Sequence, residues 1–206
     1  MDIRPDNMEQ HDTTQHFEIL QELGDCYCST GDYERAKQYY ERAAVTGPDE
    51  AAPYVGLGVV ALQNNQLEDA MTAFHVACRL DAKCAKAYAG LGMAAQQNND
   101  YRRAFDMYLK SLELDSENMI GLLGLFQASC QMGSFEQVTH YLELYLEMHP
   151  GDTSVMYPLA ALYMKDGKVE SSQNILRDIL VLDPNNSEAA NLLEEIEHSI
   201  SQSQQI

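Results

Sequence analysis

The stretch Tyr54-Val55-Gly56-Leu57-Gly58 is repeated in outline along the chain at a fixed spacing. Leu23-Gly24 stands thirty-four residues before Leu57-Gly58, and Leu91-Gly92 stands thirty-four residues after it. Two further steps of the same length each reach a leucine again. A period of this length, held over five copies, is typical of a solenoid or a related repeat array. The period therefore predicts an elongated array in place of a domain with one central core.

Each copy consists of two helix-length segments that are separated by residues that end a helix. These breakers occupy the same place in every copy and are Gly31-Asp32, Asn64-Asn65, Asn98-Asn99, Gly133-Ser134 and Gly167. Glycine and asparagine end helices because they tolerate the backbone conformation of the turn that follows. The resulting division is a polar extension over 1–16, repeats over 17–50, 51–84, 85–118, 119–152 and 153–186, and a capping helix with a polar tail over 187–206.

The apolar residues of each copy follow helical spacing, which predicts eleven helices in five pairs plus the cap. The leucines that carry the period are expected to be buried, and they are Leu23, Leu57, Leu91, Leu125 and Leu159. Small residues recur in both helices of a pair, as in Gly58 and Ala70, and we expect them to face each other across a close contact. A large residue of the second helix, such as Phe74, is expected to fill the space between neighbouring pairs.

Together these positions resemble the tetratricopeptide repeat family. Its pattern of Leu-Gly, Tyr, Ala, an aromatic residue, Ala and Pro is present in the first copy as Leu23-Gly24, Tyr27, Ala36, Tyr40, Ala43 and Pro48. The resemblance covers 17–186 and implies an all-α fold, a right-handed superhelical α-solenoid of antiparallel helix pairs. The fourth copy departs from the pattern, with Phe126 in the Gly position opposite Val138, and we expect this pair to be splayed.

Composition limits the functions that this chain can have. It has 206 residues and a formal net charge of -19, which disfavours nucleic acid and anionic membranes as partners. The charge would attract a basic partner, or it serves as a solvated acidic surface. The five cysteines form no plausible disulfide framework, so a reducing, cytoplasmic location is expected. Neither a leader peptide nor an apolar stretch long enough to span a bilayer is visible.

No combination of residues predicts catalysis, a metal site or a cofactor. Cys26 and Cys28 are two positions apart on a helix and therefore point to different faces, which is poor geometry for a metal. Glycine-rich phosphate loops are not recognisable either. We therefore expect a protein that is not an enzyme and binds no cofactor or metal.

The first helices of the copies carry a second apolar stripe and almost no charge, whereas a surface helix normally has one polar face. In the resembled family the first helices line the concave side, so this stripe is expected to line a groove for a partner, or else to pack between repeats. The candidate groove residues are Val55, Val59, Leu62, Ala89, Met93, Gln96, Leu123, Gln127, Tyr157 and Ala161. A further inner position carries Gly56, Gly90, Gly124 and Pro158, and the glycines there are expected to leave room for a partner's backbone or a bulky side chain.

The leading hypothesis is an adaptor whose groove binds an apolar or amphipathic peptide segment of another protein. One alternative is a homo-oligomeric scaffold in which one copy fills the groove of the next. A more distant alternative is a regulatory subunit of an enzyme or of a secretion complex. Insertion into a membrane is not expected under any of the three.

Overall fold

The computed structural model describes the backbone of residues 5–203 and the side chains of residues 15–201. Over these residues the chain forms eleven α-helices and no β-strand. The helices are α1 (Pro5–Ser29), α2 (Tyr33–Thr46), α3 (Ala52–Gln63), α4 (Leu67–Leu80), α5 (Ala85–Gln97), α6 (Tyr101–Leu114), α7 (Met119–Met132), α8 (Glu136–Met148), α9 (Thr153–Lys165), α10 (Val169–Leu182) and α11 (Ser187–Ser203). The predicted all-α class of helix pairs is confirmed. Because α1 begins at Pro5, its first turns lie within the stretch that the sequence analysis assigned to an extension.

The turn inside each helix pair has the same backbone conformation in all five repeats. Its central residue has a positive φ, with values from 58° to 80°, and these residues are Gly31, Asn65, Asn99, Gly133 and Gly167. Glycine adopts this left-handed conformation freely, and asparagine adopts it more readily than most other residues. The predicted breakers therefore act by reversing the chain between the two helices of a pair.

Side chains in the turns between repeats cap α7, α9 and α11. The Asn118 carboxamide oxygen accepts a hydrogen bond from the Gly121 amide at 2.9 Å, and Asp152 accepts one from the Ser154 amide at 3.0 Å. At the start of α11, Asn186 accepts a hydrogen bond from the Ala189 amide. Helix α3 is preceded by Ala51 and has no side-chain cap.

Three buried aromatic rings pack the first unit together, and each is inserted between two glycines. Tyr40 lies between Gly24 and Gly56, where a Cβ built on either glycine would come within 2.5 Å of the ring. The other two sets consist of Phe74 with Gly58 and Gly90, and of Tyr108 with Gly92 and Gly124. The glycines thus contact rings more closely than the alanines that the sequence pattern assigned to them. Each ring bridges the first helices of two successive repeats.

Three of the five periodic leucines, Leu91, Leu125 and Leu159, are buried. Burial of the other two was predicted wrongly, since Leu23 and Leu57 are half-buried. Leu23 belongs to α1, and the described part of the chain has no earlier second helix to cover it. Leu57 lines an opening of 400 Å³ that also includes Lys37 and Glu41 of α2.

The described residues form two compact units, and the boundary between them lies within α7, after Gly124. The second unit has its own core, made by residues of α9, α10 and α11: Met156, Ala160, Leu176, Ile179, Ala189 and Ile196. Within it the Ser172 hydroxyl, which is fully buried, donates a hydrogen bond to the Ala160 carbonyl at 2.8 Å. Val138 is also fully buried, and the splaying predicted for its helix pair stays a prediction.

Candidate functional site

A cleft of 720 Å³ lies in the first unit. It is lined mainly by residues of α1 and α3 and by the turns that precede α3 and α5. Its floor is apolar and is formed by α3. Val55 and Val59 are half-buried there, Ala52 is exposed, and Gly56 contributes backbone without a side chain. The two valines also pack against the core that surrounds Phe74. The floor is therefore held in place by the repeat packing and still presents apolar surface to the cleft.

Tyr40 lines the cleft and is buried. Its ring is held between two glycines, and its hydroxyl donates a hydrogen bond to the Asp25 carboxylate at 2.7 Å. Burial and then this carboxylate raise the pKa of Tyr40, so the hydroxyl remains a donor. Gln21 donates a second hydrogen bond to the same Asp25 oxygen at 3.2 Å. Two donors of the cleft are thus already used by one carboxylate.

Two thiols lie in the cleft wall, those of Cys28 and Cys84. Burial raises the pKa of the Cys28 thiol, an effect that the hydrogen bond with Tyr40 opposes and the nearby Asp25 reinforces. Burial and then Cys84 raise the pKa of the neighbouring Cys78 to about 11. A raised pKa keeps a thiol protonated and weakly nucleophilic, so Cys28 contributes a neutral side chain to the wall.

The rim of the cleft is acidic. Asp49 and Glu50 come from the turn before α3, Asp81 comes from the turn before α5, and Asp25 comes from α1. All four side chains belong to exposed residues. Lys86, at the start of α5, is the single cationic side chain among the residues that line the cleft. The rim therefore has a strong excess of hydrogen-bond acceptors.

The candidate groove residues of the first unit occupy different environments. Val55 and Val59 line the cleft, and Met93 is half-buried against the same core. Leu62 and Ala89 are buried, with exposed fractions of 4% and 1%, and offer a partner almost no surface.

Two further candidates complete the set in this unit. Leu123 is half-buried on α7. The Gln96 carboxamide accepts a hydrogen bond from the Tyr108 hydroxyl at 2.9 Å, so its oxygen has a partner inside the fold.

The remaining candidates belong to the second unit. Gln127 is exposed on α7, and Ala161 is half-buried on α9. Tyr157 packs beside the core of this unit, and burial followed by Glu188 and Glu195 raises its pKa. That all ten candidates form one groove stays a prediction.

The inner glycine position accommodates bulky side chains of the fold itself. Gly56, Gly90 and Gly124 each lie against a buried ring of the preceding second helix. Gly56 also lines the cleft, and room for a partner at the other two glycines stays a prediction. Pro158, in the same position of the last repeat, is buried within α9.

A second cleft, of 540 Å³, lies in the second unit between α8 and the end of α9. Four of the Asp, Glu and Lys side chains that line it have a partner within the fold. Tyr163 donates to Glu143 at 2.7 Å, Lys168 pairs with Asp166 at 2.9 Å, and Lys165 lies 4.4 Å from the Phe135 ring centre. Burial and then Glu143 raise the pKa of Tyr163 to about 12. These contacts hold α8 and α9 together and leave few groups for a ligand.

The described side chains include no cluster of three or more His, Cys, Asp or Glu residues that could hold a metal ion. The five cysteines are free. Among the helices described here, none combines the length and the apolar character that crossing a membrane requires.

The uncharged stripe of the first helices predicted Val55 and Val59 in the floor of the first cleft, but it did not predict the rim. Because the first helices carry almost no charge, no acidic residue was expected at the groove. The missed residues are Gln21, Asp25, Asp49, Glu50, Asp81 and Lys86. A signal was present, because a turn between repeats lies where the next first helix begins, and Asp49 and Glu50 directly precede the uncharged α3.

Two family models match the sequence. Residues 57–183 match the model described as the second ARM domain of tetratricopeptide repeat protein 21. Residues 22–85 match a model described as tetratricopeptide repeat. No curated protein matches the chain.

Solved structures of repeat proteins share the fold at low sequence identity. PilF of Pseudomonas aeruginosa is 19% identical, with a TM-score of 0.78 over 94% of this chain and 88% of PilF. YrrB, described as a TPR protein with an unusual peptide-binding site, is 17% identical, with a TM-score of 0.64 over 85% of this chain and 90% of YrrB. TTC0263 of Thermus thermophilus is 14% identical, with a TM-score of 0.60 over 87% of this chain and 98% of TTC0263. With five helix pairs of one period and a family model that covers more than half of the sequence, the chain belongs to the tetratricopeptide repeat family.

Proposed function

We propose that this protein is a non-catalytic adaptor that binds an apolar or amphipathic peptide segment of a partner protein in the cleft between α1 and α3. The observation that supports this proposal is the 720 Å³ cleft, whose apolar floor of Ala52, Val55 and Val59 remains partly open. Tetratricopeptide repeats are protein-interaction modules, which supports the class of function.

The size and chemistry of the cleft support a peptide as its occupant. Ligand sites are typically clefts of about 300–1,000 Å³ with an apolar lining and a few polar groups. An apolar side chain docked on the floor would gain about 25 cal/mol per Å² of apolar surface buried, before the cost of ordering the segment. YrrB, which shares the fold, is described as having a peptide-binding site, and this adds support.

The proposal extends to the location of the protein. Its free cysteines support a reducing compartment, and we propose the cytoplasm.

The test is a selection of peptides from a displayed random library on the full chain, followed by binding titrations with cleft variants. Ala52→Trp places a large ring in the cleft at an exposed position and leaves the net charge unchanged. Val59→Asp introduces a charge on the floor that docking would desolvate. Each variant should weaken the selected peptides at least about tenfold, a loss of about 1.4 kcal/mol.

Val45→Asp is the matched control, since Val45 is 82% exposed on α2 and does not line the cleft. It should leave binding unchanged. A melting curve for each variant separates lost binding from lost folding. Ala52→Trp protein that melts like wild type and still binds the selected peptides would disprove the proposal.

Light scattering tests whether a second copy of the chain occupies the cleft. If the mass rises with concentration in the wild type and stays monomeric in Ala52→Trp, the cleft binds another copy, as in the homo-oligomeric scaffold alternative. A constant mass in both proteins supports a different partner.

A further inference from the structure

The cleft in the first unit has more hydrogen-bond acceptors than donors, and this imbalance restricts what can fill it. Four carboxylates and one ammonium group surround it, a formal charge of -3 from four acids and Lys86. None of these five groups forms an ion pair with another side chain of the described part of the chain. Their charges are therefore available to a bound molecule.

Apart from Lys86, two side-chain donors of the cleft are committed to the protein itself. The Tyr40 hydroxyl and the Gln21 amide nitrogen both donate to Asp25. Asp81 accepts a hydrogen bond from the Lys83 backbone amide at 2.8 Å, which holds its carboxylate in the turn. A bound segment that supplies only acceptors would find few donors here.

Gln21 adds an acceptor that has no donor within the described structure. Its side-chain oxygen is buried and lacks a hydrogen-bond partner there. Rotating the carboxamide does not remove the problem, because the oxygen would then face the Asp25 carboxylate in place of the nitrogen. An unsatisfied buried acceptor is unfavourable, and this one adds to the excess of acceptors among the residues that line the cleft.

We infer that the cleft binds a basic amphipathic segment, in which an apolar side chain rests on Val55 and Val59 and flanking Lys or Arg residues reach the rim carboxylates of Asp49, Glu50 and Asp81. This inference rests on the proposed function and specifies its partner. Apolar contact supplies the anchor, and charge complementarity supplies selectivity and a faster association. The second cleft differs in this respect, because most of its charged side chains have partners within the protein.

The experiment uses short synthetic peptides that share one apolar pattern and differ at the remaining positions, which carry Lys, Gln or Glu. A fourth peptide keeps the Lys residues and replaces the apolar ones by Ser. Fluorescence anisotropy measures their affinity for the full chain at low and at high salt. The apolar Lys peptide should bind at least about tenfold more tightly than the Glu peptide at low salt, which corresponds to about 1.4 kcal/mol.

The rim is tested with the pair Asp49→Asn and Glu50→Gln, which keeps side-chain size and removes two charges at exposed positions. Its matched control is Glu34→Gln with Asp106→Asn, two exposed acids of α2 and α6 that do not line the cleft. The rim pair should weaken the Lys peptide about fivefold at low salt, and by less at high salt, because salt screens exposed charges. The control pair should leave the affinity within about twofold of wild type, since distant exposed charges are largely screened.

Several results would overturn the inference. One such result is that the Lys, Gln and Glu peptides bind the wild type with equal affinity and that Ala52→Trp weakens the binding of all three. This would support the proposed function and refute a basic partner. Equal weakening by both acid pairs, or tight binding of the Ser-substituted Lys peptide, would show attraction to the net charge alone. Failure of all four peptides to bind would also refute it.

Discussion

The ring of Phe74 occupies the space that a side chain on Gly58 would need. A Cβ built on Gly58 would lie 2.6 Å from the ring, and Phe74 itself is completely buried. The same ring also lies against Gly90 of the following repeat. One residue of a second helix thus determines which residues are allowed on the first helices of two repeats.

Gly58→Ala should therefore destabilise the protein by about 1–3 kcal/mol, the usual cost of overpacking a core. Without the ring, replacing glycine by alanine would stabilise a helix by about 0.5–1 kcal/mol. A loss of stability would therefore measure the steric clash between the new methyl group and the Phe74 ring. Phe74→Leu should reverse the sign of the Gly58→Ala effect, because leucine leaves room for the methyl group. Urea unfolding of the four proteins gives the coupling energy, and additive effects would contradict the contact.

The left-handed turns allow a test in which only the backbone conformation matters. Gly133 has a φ of 71°, and no atom lies within 4 Å of the place that a Cβ would take, so Gly133→Ala should cost about 1–2 kcal/mol through strain alone. Gly133→Asn should cost less, since asparagine fills this position in two other repeats. Gly151 is equally uncrowded without a positive φ, and Gly151→Ala should change the melting temperature little.

The Tyr40–Asp25 hydrogen bond predicts a loss of stability at alkaline pH. The folded pKa of Tyr40 lies above its unfolded value of about 10, so its contribution is complete below that pH and falls as the pH rises above it. Tyr40→Phe should cost about 1 kcal/mol at neutral pH, through the lost hydrogen bond.

The difference between wild type and Tyr40→Phe should shrink above pH ~10, because only the wild type loses this contribution. Urea unfolding at neutral and alkaline pH measures it. A difference that is the same at both values would show that the hydrogen bond does not govern ionisation of Tyr40.

Two leucines in the same position of the repeat should respond differently to truncation. Leu91 is 3% exposed, and Leu91→Ala should cost about 2–5 kcal/mol, as for other buried leucines. Leu57 is half-buried beside an opening, so Leu57→Ala should cost less. Chemical unfolding of both variants decides this, and equal losses would mean that exposure does not determine the cost at this position.

The thirty-four-residue period was enough to predict the helix pairs and the turns, because these depend on local properties. Helical spacing of apolar residues determines the helices, and glycine or asparagine at Gly31, Asn65 and their equivalents permits a positive φ. The Gly–Ala contact was inferred from residue size alone. Size cannot show that the ring of Phe74 comes closer to Gly58 than Ala70 does.

Candidate binding residues were predictable only in part, for a related reason. An uncharged stripe identified Val55 and Val59, but the same stripe includes Leu62 and Ala89, which the neighbouring helices bury. A stripe describes one face of one helix. Which part of that face stays open depends on how the adjacent helices pack against it.

The sequence by itself determined the repeat, its helix pairs and the positions where the turns adopt a positive φ. Each of these depends on residues that are close together in the chain. Only the tertiary structure decided that Asp25, Asp49 and Asp81 surround a single cleft. These acids belong to α1 and to two separate turns, and packing of successive repeats brings them together. The acidic rim depends on the distances between residues of different repeats, and the period of the sequence does not give these distances.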